Sequence, residues 1–176
     1  MINVDEIVIS NTYTRSDFLF RFSLIKRFLE KVEFTSDLND LSFTEKVHNF
    51  LESEEVDSYH SESFSQWGEE FFDVLKSGDF YKNLRDFYER IESDRFFTLT
   101  VPVSLEQNIQ REISSWIRDR IGQKVLVNIR IDNKLTAGCR FTWCDQQYDF
   151  TFRKMRQDRH NHIVESVKDV LSNTVI

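Results

Sequence analysis

Apolar residues in the first half of the chain recur at intervals of three and four, the spacing of one helix face. The clearest run predicts a helix over residues 14–33 with Thr14 or Ser16 as its cap. Three shorter runs predict further helices over residues 43–51, 64–78 and 80–92. Because each helix has a single apolar stripe, none is stable alone in water, and we expect them to pack as a bundle.

The pattern changes near residue 95 from helical spacing to alternation, which is typical of strands. Alternating segments predict strands over residues 97–103 and 125–131, and Pro102 places the first at a sheet edge or at a strand end. The remaining elements are a helix capped by Ser104, a two-stranded ribbon, and a final helix over residues 154–172. We therefore predict two domains: an all-α helical bundle (1–93) and a small α+β domain (96–176) ordered strand-helix-strand-strand-strand-helix.

The ribbon is the most distinctive segment of the sequence. Apolar residues alternate on both sides of a short turn, which predicts two antiparallel strands with one buried face. The residues expected on that face are Cys139, Phe141, Trp143, Tyr148, Phe150 and Phe152.

Charge is divided unevenly along the chain. Residues 1–95 contain 11 Lys and Arg against 21 Asp and Glu, a net charge of −10, whereas residues 96–176 carry +3, in agreement with the total of −7. An acidic first half argues against nucleic acid as the main partner, since phosphate binding needs a basic surface. No run of apolar residues approaches the ~20 needed to span a membrane, and the first ten residues do not resemble a targeting signal.

Residues capable of catalysis are present, but their spacing does not predict an active site. His160 and His162 lie two apart and would point to different sides of a helix, so a shared metal ion is not expected. Asp145 and Asp149 flank the ribbon turn, where Asp is a common turn residue, and Cys144 has no histidine nearby in sequence. The four glycines are too scattered for a phosphate-binding loop. We expect a non-catalytic protein without cofactors.

Residues 131–138 and 144–153 resemble the C-terminal signature of the delta subunit of F-type ATP synthases, which is called OSCP in mitochondria. That signature reads Val-Asp-Pro-x-Leu-Ile-Gly-Gly, an apolar strand, Gly-Asp, an apolar pair, and Asp-Gly-Ser-apolar-Arg. Here the corresponding segments read Ile-Asp-Asn-Lys-Leu-Thr-Ala-Gly, Cys-Asp and Tyr-Asp-Phe-Thr-Phe-Arg. The matching positions are Asp132, Leu135, Gly138, Asp145, Asp149 and Arg153.

The resemblance extends over about residues 97–156, with departures at Asn133, Ala137, Cys144 and Phe150. Delta subunits are stator parts without catalytic residues. The resemblance therefore implies a helical domain that binds the N-terminal helix of subunit alpha and a second domain that holds the C-terminal helices of subunit b. It also implies a peripheral location on the cytoplasmic face of a bacterial membrane, or on an organellar inner membrane, with membrane contact only through the complex.

Two alternatives remain open from the sequence. Regulators of flagellar and type III export, and the stator relative found in vacuolar-type ATPases, carry a similar ribbon, and the export protein often reads Gly-Gly-Cys-Arg at residues 137–140. Both relatives have a long coiled-coil N-terminus, whereas residues 1–93 show no sustained heptads. The second alternative is an unrelated small binding protein or enzyme, in which Arg140 and Trp143 could stack on bases.

Overall fold

The structure is a computed structural model that describes residues 3–35, 40–93, 96–121, 125–143 and 146–173. In these residues the helices come first and the strands follow. The helices are α1 (Val4–Ser10), α2 (Arg15–Phe34), α3 (Phe43–Ser53), α4 (Ser58–Ser65), α5 (Glu69–Lys76) and α6 (Phe80–Ser93). The second part contains β1 (Phe96–Val101), α7 (Gln107–Ile121), β2 (Leu126–Ile131), β3 (Gly138–Trp143), β4 (Gln146–Thr151) and α8 (Phe152–Asn173). Over the described ranges this makes eight helices and a four-stranded mixed sheet.

Polar side chains cap the helices close to where the sequence predicts. Thr14 accepts a hydrogen bond from the backbone N–H of Asp17 at the start of α2. Ser42 and Glu45 form a reciprocal capping box at the start of α3, and these bonds hold the pKa of the Glu45 carboxyl below its usual value. The predicted helices over residues 14–33, 43–51 and 80–92 are therefore confirmed, each to within a residue or two of its end.

The predicted single helix over residues 64–78 is wrong. It is divided into α4, which starts before Phe64, and α5, whose N-cap is Gly68. The sequence analysis also missed α1, whose buried Val4, Val8 and Ile9 contribute to the helical core. In both cases the period of the apolar residues is too short to define where a helix begins.

The sheet has the strand order β2-β1-β3-β4, with β1 and β2 parallel and the other two pairs antiparallel. Strand β1 is central, and Pro102 lies just after its last residue, which satisfies the second of the two positions predicted for it. The outer edge of β2 is partly covered by the N-terminal chain, because the N–H of Val127 donates to the carbonyl of Tyr13 at 2.9 Å.

Two groups of buried side chains meet at β2. Leu126 packs into the aromatic core of helices α1–α6, which is built from edge-to-face and tilted phenylalanine pairs. Val125 and Val127 face the other way and pack with β1 and α7. Strand β2 is therefore covered on both faces at its start, a feature that clean alternation in the sequence does not predict.

No helix among the described residues combines the length and the apolar character needed to cross a membrane.

Candidate protein-binding groove

The apolar face of the sheet is only half covered by helix α7. This helix packs over β1 and β2, while β3 and β4 extend beyond it and leave an open groove of about 1020 Å³. The side chains that line it are almost all apolar, and the charged exceptions are Glu112 and Arg120. The lining residues on the helix side include Ile113, Trp116 and Ile117, and those on the sheet side include Phe97, Leu99, Cys139, Phe141, Trp143 and Tyr148. We call this site the α7–ribbon groove.

Stacked aromatic rings form the floor of the groove. The ring of Phe141 stacks on Phe97 at a centroid distance of 5.3 Å, on Tyr148 at 4.8 Å and on Phe150 at 5.2 Å. These contacts follow from the antiparallel register, which places Phe141 opposite Tyr148 and Cys139 opposite Phe150. The result is a flat aromatic surface of the kind that receives an apolar helix or chain.

The prediction that the ribbon buries its apolar face is wrong for its outer strand. Tyr148 and Phe150 are 42% and 48% exposed, and Phe152 lies in the first turn of α8 rather than in the ribbon. The alternation is as predicted, but α7 is too narrow to cover four strands, so the face stays open where β4 runs.

The wall of the groove is held by arginines on the opposite side of α7. Arg111 forms a bidentate ion pair with the buried carboxylate of Asp17 at 3.1 and 3.4 Å. Two turns further along, Arg118 donates to the carbonyls of Thr12 and Ile9. These contacts tie α7 to the N-terminal helices, so the position of the groove wall depends on both parts of the chain.

A buried cation lies beneath this contact. The guanidinium of Arg21 is fully buried and donates to the Oγ of Ser63 and to Nδ1 of His60. It also donates to the Thr12 hydroxyl, and its planar group lies over the ring of Tyr59, 4.7 Å from the centroid. Arg111 packs against the same ring at 3.5 Å, so Tyr59 contacts two cations.

His60 is neutral in this environment. Burial lowers its pKa, and the neighbouring cations of Arg21 and Arg111 lower it further, against the opposing effect of Asp57 and Asp17. The geometry agrees, because Nδ1 accepts from Arg21 and must lack a proton. This network was missed by the sequence analysis, since its members come from α2, α4 and α7 and share no local spacing.

Gly138 of the delta-like signature occupies a position that needs glycine. Its φ is +87°, and an added Cβ would lie 2.2 Å from the carbonyl oxygen of Phe150. The close approach occurs where β3 begins opposite the end of β4, so the register of the ribbon depends on it.

The structure brings two other signature residues together near Arg140, and a third lies close in the chain. Asp149 accepts a hydrogen bond from the N–H of Thr151 at 2.9 Å, which lowers the pKa of its carboxyl, with a further contribution from Arg140 at 3.5 Å. Asp132 accepts from the N–H of Lys134 and lies 4.0 Å from Arg140. Leu135 is buried in the turn between β2 and β3. These residues therefore shape the chain leading into and out of the ribbon.

Arg153 is placed apart from that cluster. It lies in the first turn of α8, where it forms an exposed basic surface together with Arg156, Arg159 and His160. Asp145 and Cys144 lie outside the described residues, so their predicted place in the ribbon turn stays a prediction. Within the described ranges, no group of three or more His, Cys, Asp or Glu is arranged to hold a metal ion.

Comparison with protein-family models and with curated protein sequences finds no match to this chain.

Proposed function

We propose that this chain is a stator subunit of the delta type, a non-catalytic link between the catalytic head and the peripheral stalk of a proton-translocating F-type ATP synthase. In this role helices α1–α6 bind the N-terminal helix of subunit alpha. The part from residue 96 onward binds the C-terminal helices of subunit b. The protein then lies on the cytoplasmic face of a bacterial membrane, or on an organellar inner membrane, and contacts the membrane only through the complex. The division into domains at residues 93 and 96 is part of the same proposal.

The observation that carries the proposal is the α7–ribbon groove beside the delta-like signature. The groove is apolar, floored by aromatic rings and long enough for a helix, which is what a stalk-binding surface requires. Gly138, Asp132 and Asp149 hold the ribbon that forms its outer side. The signature thus has a physical role at the surface that the proposed partner would use.

The anchored wall of the groove also suits a protein that transmits force. A stator must resist the torque of the rotor, so its two binding surfaces have to stay in a defined relation. The Arg111–Asp17 pair and the bonds from Arg118 to backbone carbonyls supply such a connection between the helical part and α7.

A second candidate is a stator-like regulator of a flagellar or type III export ATPase, or the stator relative of a vacuolar-type ATPase. The observation in its favour is Arg140 after Gly138 and Cys139, since this arginine lies at the centre of the signature cluster. Against it, α2 is the longest of the described helices before β1 and has only 20 residues, whereas both relatives carry a long coiled coil. An unrelated binding protein or enzyme is the third candidate.

Calorimetric titration with two peptides tests the proposal. One peptide is the N-terminal segment of subunit alpha and the other is the C-terminal segment of subunit b, both taken from the genome that encodes this chain. We expect both to bind, and we expect Trp116→Asp to weaken the b peptide at least tenfold without affecting the alpha peptide. Tyr81→Asp alters an exposed aromatic residue outside the groove and leaves b binding unchanged. Binding of neither peptide would sink the stator proposal.

A further inference from the structure

Helix α8 contains 22 residues and contributes no buried side chain among those that the structure describes. Phe152 and Met155 are more than half exposed, and Val164 is 37% exposed. A helix of this length is about 33 Å long, and in water such helices depend on packing of an apolar face. The described side chains of the helix therefore do not supply, within its own chain, the contacts that would explain its stability.

The second half of α8 has the sequence pattern of a docking helix. Apolar residues recur at intervals of three and four, and polar residues occupy the positions between them. The apolar positions are Ile163, Val164, Val167, Val170 and Leu171, and the intervening ones include Asn161, Glu165, Lys168 and Ser172. We call residues 163–171 the α8 segment.

The α8 segment matches the α7–ribbon groove in size. A helix about 10 Å across occupies roughly 80 Å² in cross-section, so a groove of about 1020 Å³ accommodates about 13 Å of helix, or between two and three turns. Residues 163–171 form two and a half turns. The groove is open, and Val164, the apolar residue of the segment whose side chain the structure describes, is exposed.

The segment does not reach the groove of its own copy. Helix α8 starts directly after Thr151 without a loop, and its backbone is continuous to Asn173. Residue 167 therefore lies about 22 Å from the end of β4, the strand that borders the groove. Bringing it back would require the helix to break, whereas the groove of another copy is accessible without any change.

We infer that two copies of this chain form a symmetric dimer in which the α8 segment of each copy lies in the α7–ribbon groove of the other. Such an exchange is an isologous contact, with the same two surfaces used twice. Each copy contributes the groove lining and the α8 segment, about 23 residues in all, which falls within the roughly 20–30 residues per side of a stable interface. This inference goes beyond the proposed stator function and does not depend on it.

Charge favours the same arrangement. Each copy carries −7 overall, so whole molecules repel one another. The exchanged helix is different, because residues 152–160 hold four Lys or Arg and a single Asp, and they approach a molecule whose first 95 residues carry −10. The helix is thus the part of the chain that another copy attracts.

Light scattering after gel filtration and sedimentation velocity test the inference on the full chain. We expect a dimer at micromolar concentration. Removal of residues 162–176 should give a monomer. The double variant Val164→Asp with Val167→Asp, which places charge on the apolar positions, should raise the dissociation constant of the dimer at least tenfold. The matched control, Asn161→Asp with Ser172→Asp, adds the same charge at polar positions and should leave the dimer intact.

A mixing experiment distinguishes exchange from other contacts. Trp116→Asp damages the groove but leaves α8 intact, and the double variant of α8 does the reverse. Each should be mainly monomeric alone, and the mixture should form a heterodimer because one helix–groove contact remains complete. Circular dichroism of each variant checks that it is folded.

Three results would overturn the inference. They are a monomeric full chain, a dimer that survives removal of residues 162–176, or folded variants whose mixture does not associate. A monomer that still binds the b peptide would refute the exchange alone and leave the stator proposal standing.

Discussion

At the scale of single residues, Gly138 shows how a backbone requirement can identify a position that carries no chemistry. Its positive φ and the 2.2 Å approach to the Phe150 carbonyl exclude any side chain. The other signature residues act in the same local way, since Asp132 and Asp149 accept hydrogen bonds from backbone N–H groups two residues ahead. The signature is therefore a description of how the ribbon is held.

We expect Gly138→Ala to destabilise the protein strongly. The strained φ alone costs about 1–3 kcal/mol, and the backbone clash adds to it. With a shift of about 2–4 °C for each kcal/mol in a chain of this size, the thermal midpoint should fall by at least ~5 °C. Gly68→Ala is the control, since Gly68 has space for a Cβ and an ordinary φ, and its midpoint should change little. An equal effect of the two substitutions in calorimetry would contradict this interpretation.

At the scale of elements, α7 is held between two different surfaces. Its apolar side packs on the sheet, and its basic side reaches the N-terminal helices through Arg111 and Arg118. Buried charges of this kind are costly when one partner is lost, because the other remains desolvated. The element that forms the groove wall is consequently sensitive to changes far from the groove.

A double-mutant cycle measures the coupling between Arg111 and Asp17. Arg111→Met leaves a buried carboxylate without its cation and should lower the free energy of unfolding by about 3–5 kcal/mol. Adding Asp17→Asn removes the orphaned charge and should restore part of this loss, as measured by urea denaturation. Arg85→Met is the control, because Arg85 is exposed, and its effect should stay within ~0.5 kcal/mol. Additive effects of the two substitutions would show that the pair is not coupled.

The buried histidine makes stability depend on pH. Because the pKa of His60 is lowered in the folded state, the unfolded chain takes up the proton first as the pH falls. The contribution of His60 to stability is complete above pH 6.5 and decreases as the pH falls from there toward the lowered pKa. The charged groups that face it are Arg21, Arg111, Asp17 and Asp57.

His60→Gln should therefore flatten the loss of stability between about pH 7.5 and 5.5. His48→Gln alters an exposed histidine and should leave the wild-type slope unchanged. The measurement is the free energy of unfolding in urea at a series of pH values. A slope in His60→Gln as steep as that of the wild type would assign the pH dependence to other groups.

At the scale of the whole molecule, an open apolar groove and a helix with exposed side chains occur in the same chain. Uncovered apolar surface on this scale indicates partners, because burial of such surface is the main source of binding free energy. A stalk helix and a second copy of α8 would use the same groove, so the two would compete for it.

Truncation after Met155 tests how α8 contributes to stability. At nanomolar concentration the truncated chain and the full chain should melt within about 2 °C of each other, since the described side chains of α8 are exposed. At high micromolar concentration only the full chain should gain stability, because association stabilises the folded state by mass action. Fluorescence melting over a concentration series provides the measurement. A large loss of stability on truncation at every concentration would mean that α8 packs on its own copy.

The sequence predicted elements better than it predicted their coverage. The capped helix α2, strands β1 and β2, and the ribbon follow from periods of about 3.6 and 2 that each segment carries by itself. The division between α4 and α5 was missed because both segments share one apolar stripe, and only the cap at Gly68 separates them. The Arg21 network was missed because its hydrogen-bond partners are up to 42 positions apart in sequence.

What the sequence determined alone was the order of helices and strands, the turn at Gly138 and the alternation of the ribbon, since these depend on interactions between near neighbours in the chain. Only the tertiary structure decided which apolar faces are covered. The exposure of Tyr148 and Phe150 depends on where α7 lies, and α7 is positioned by ion pairs and carbonyls from the other end of the chain. The groove is therefore a property of packing between distant segments, although the apolar residues that line it were already visible as apolar positions.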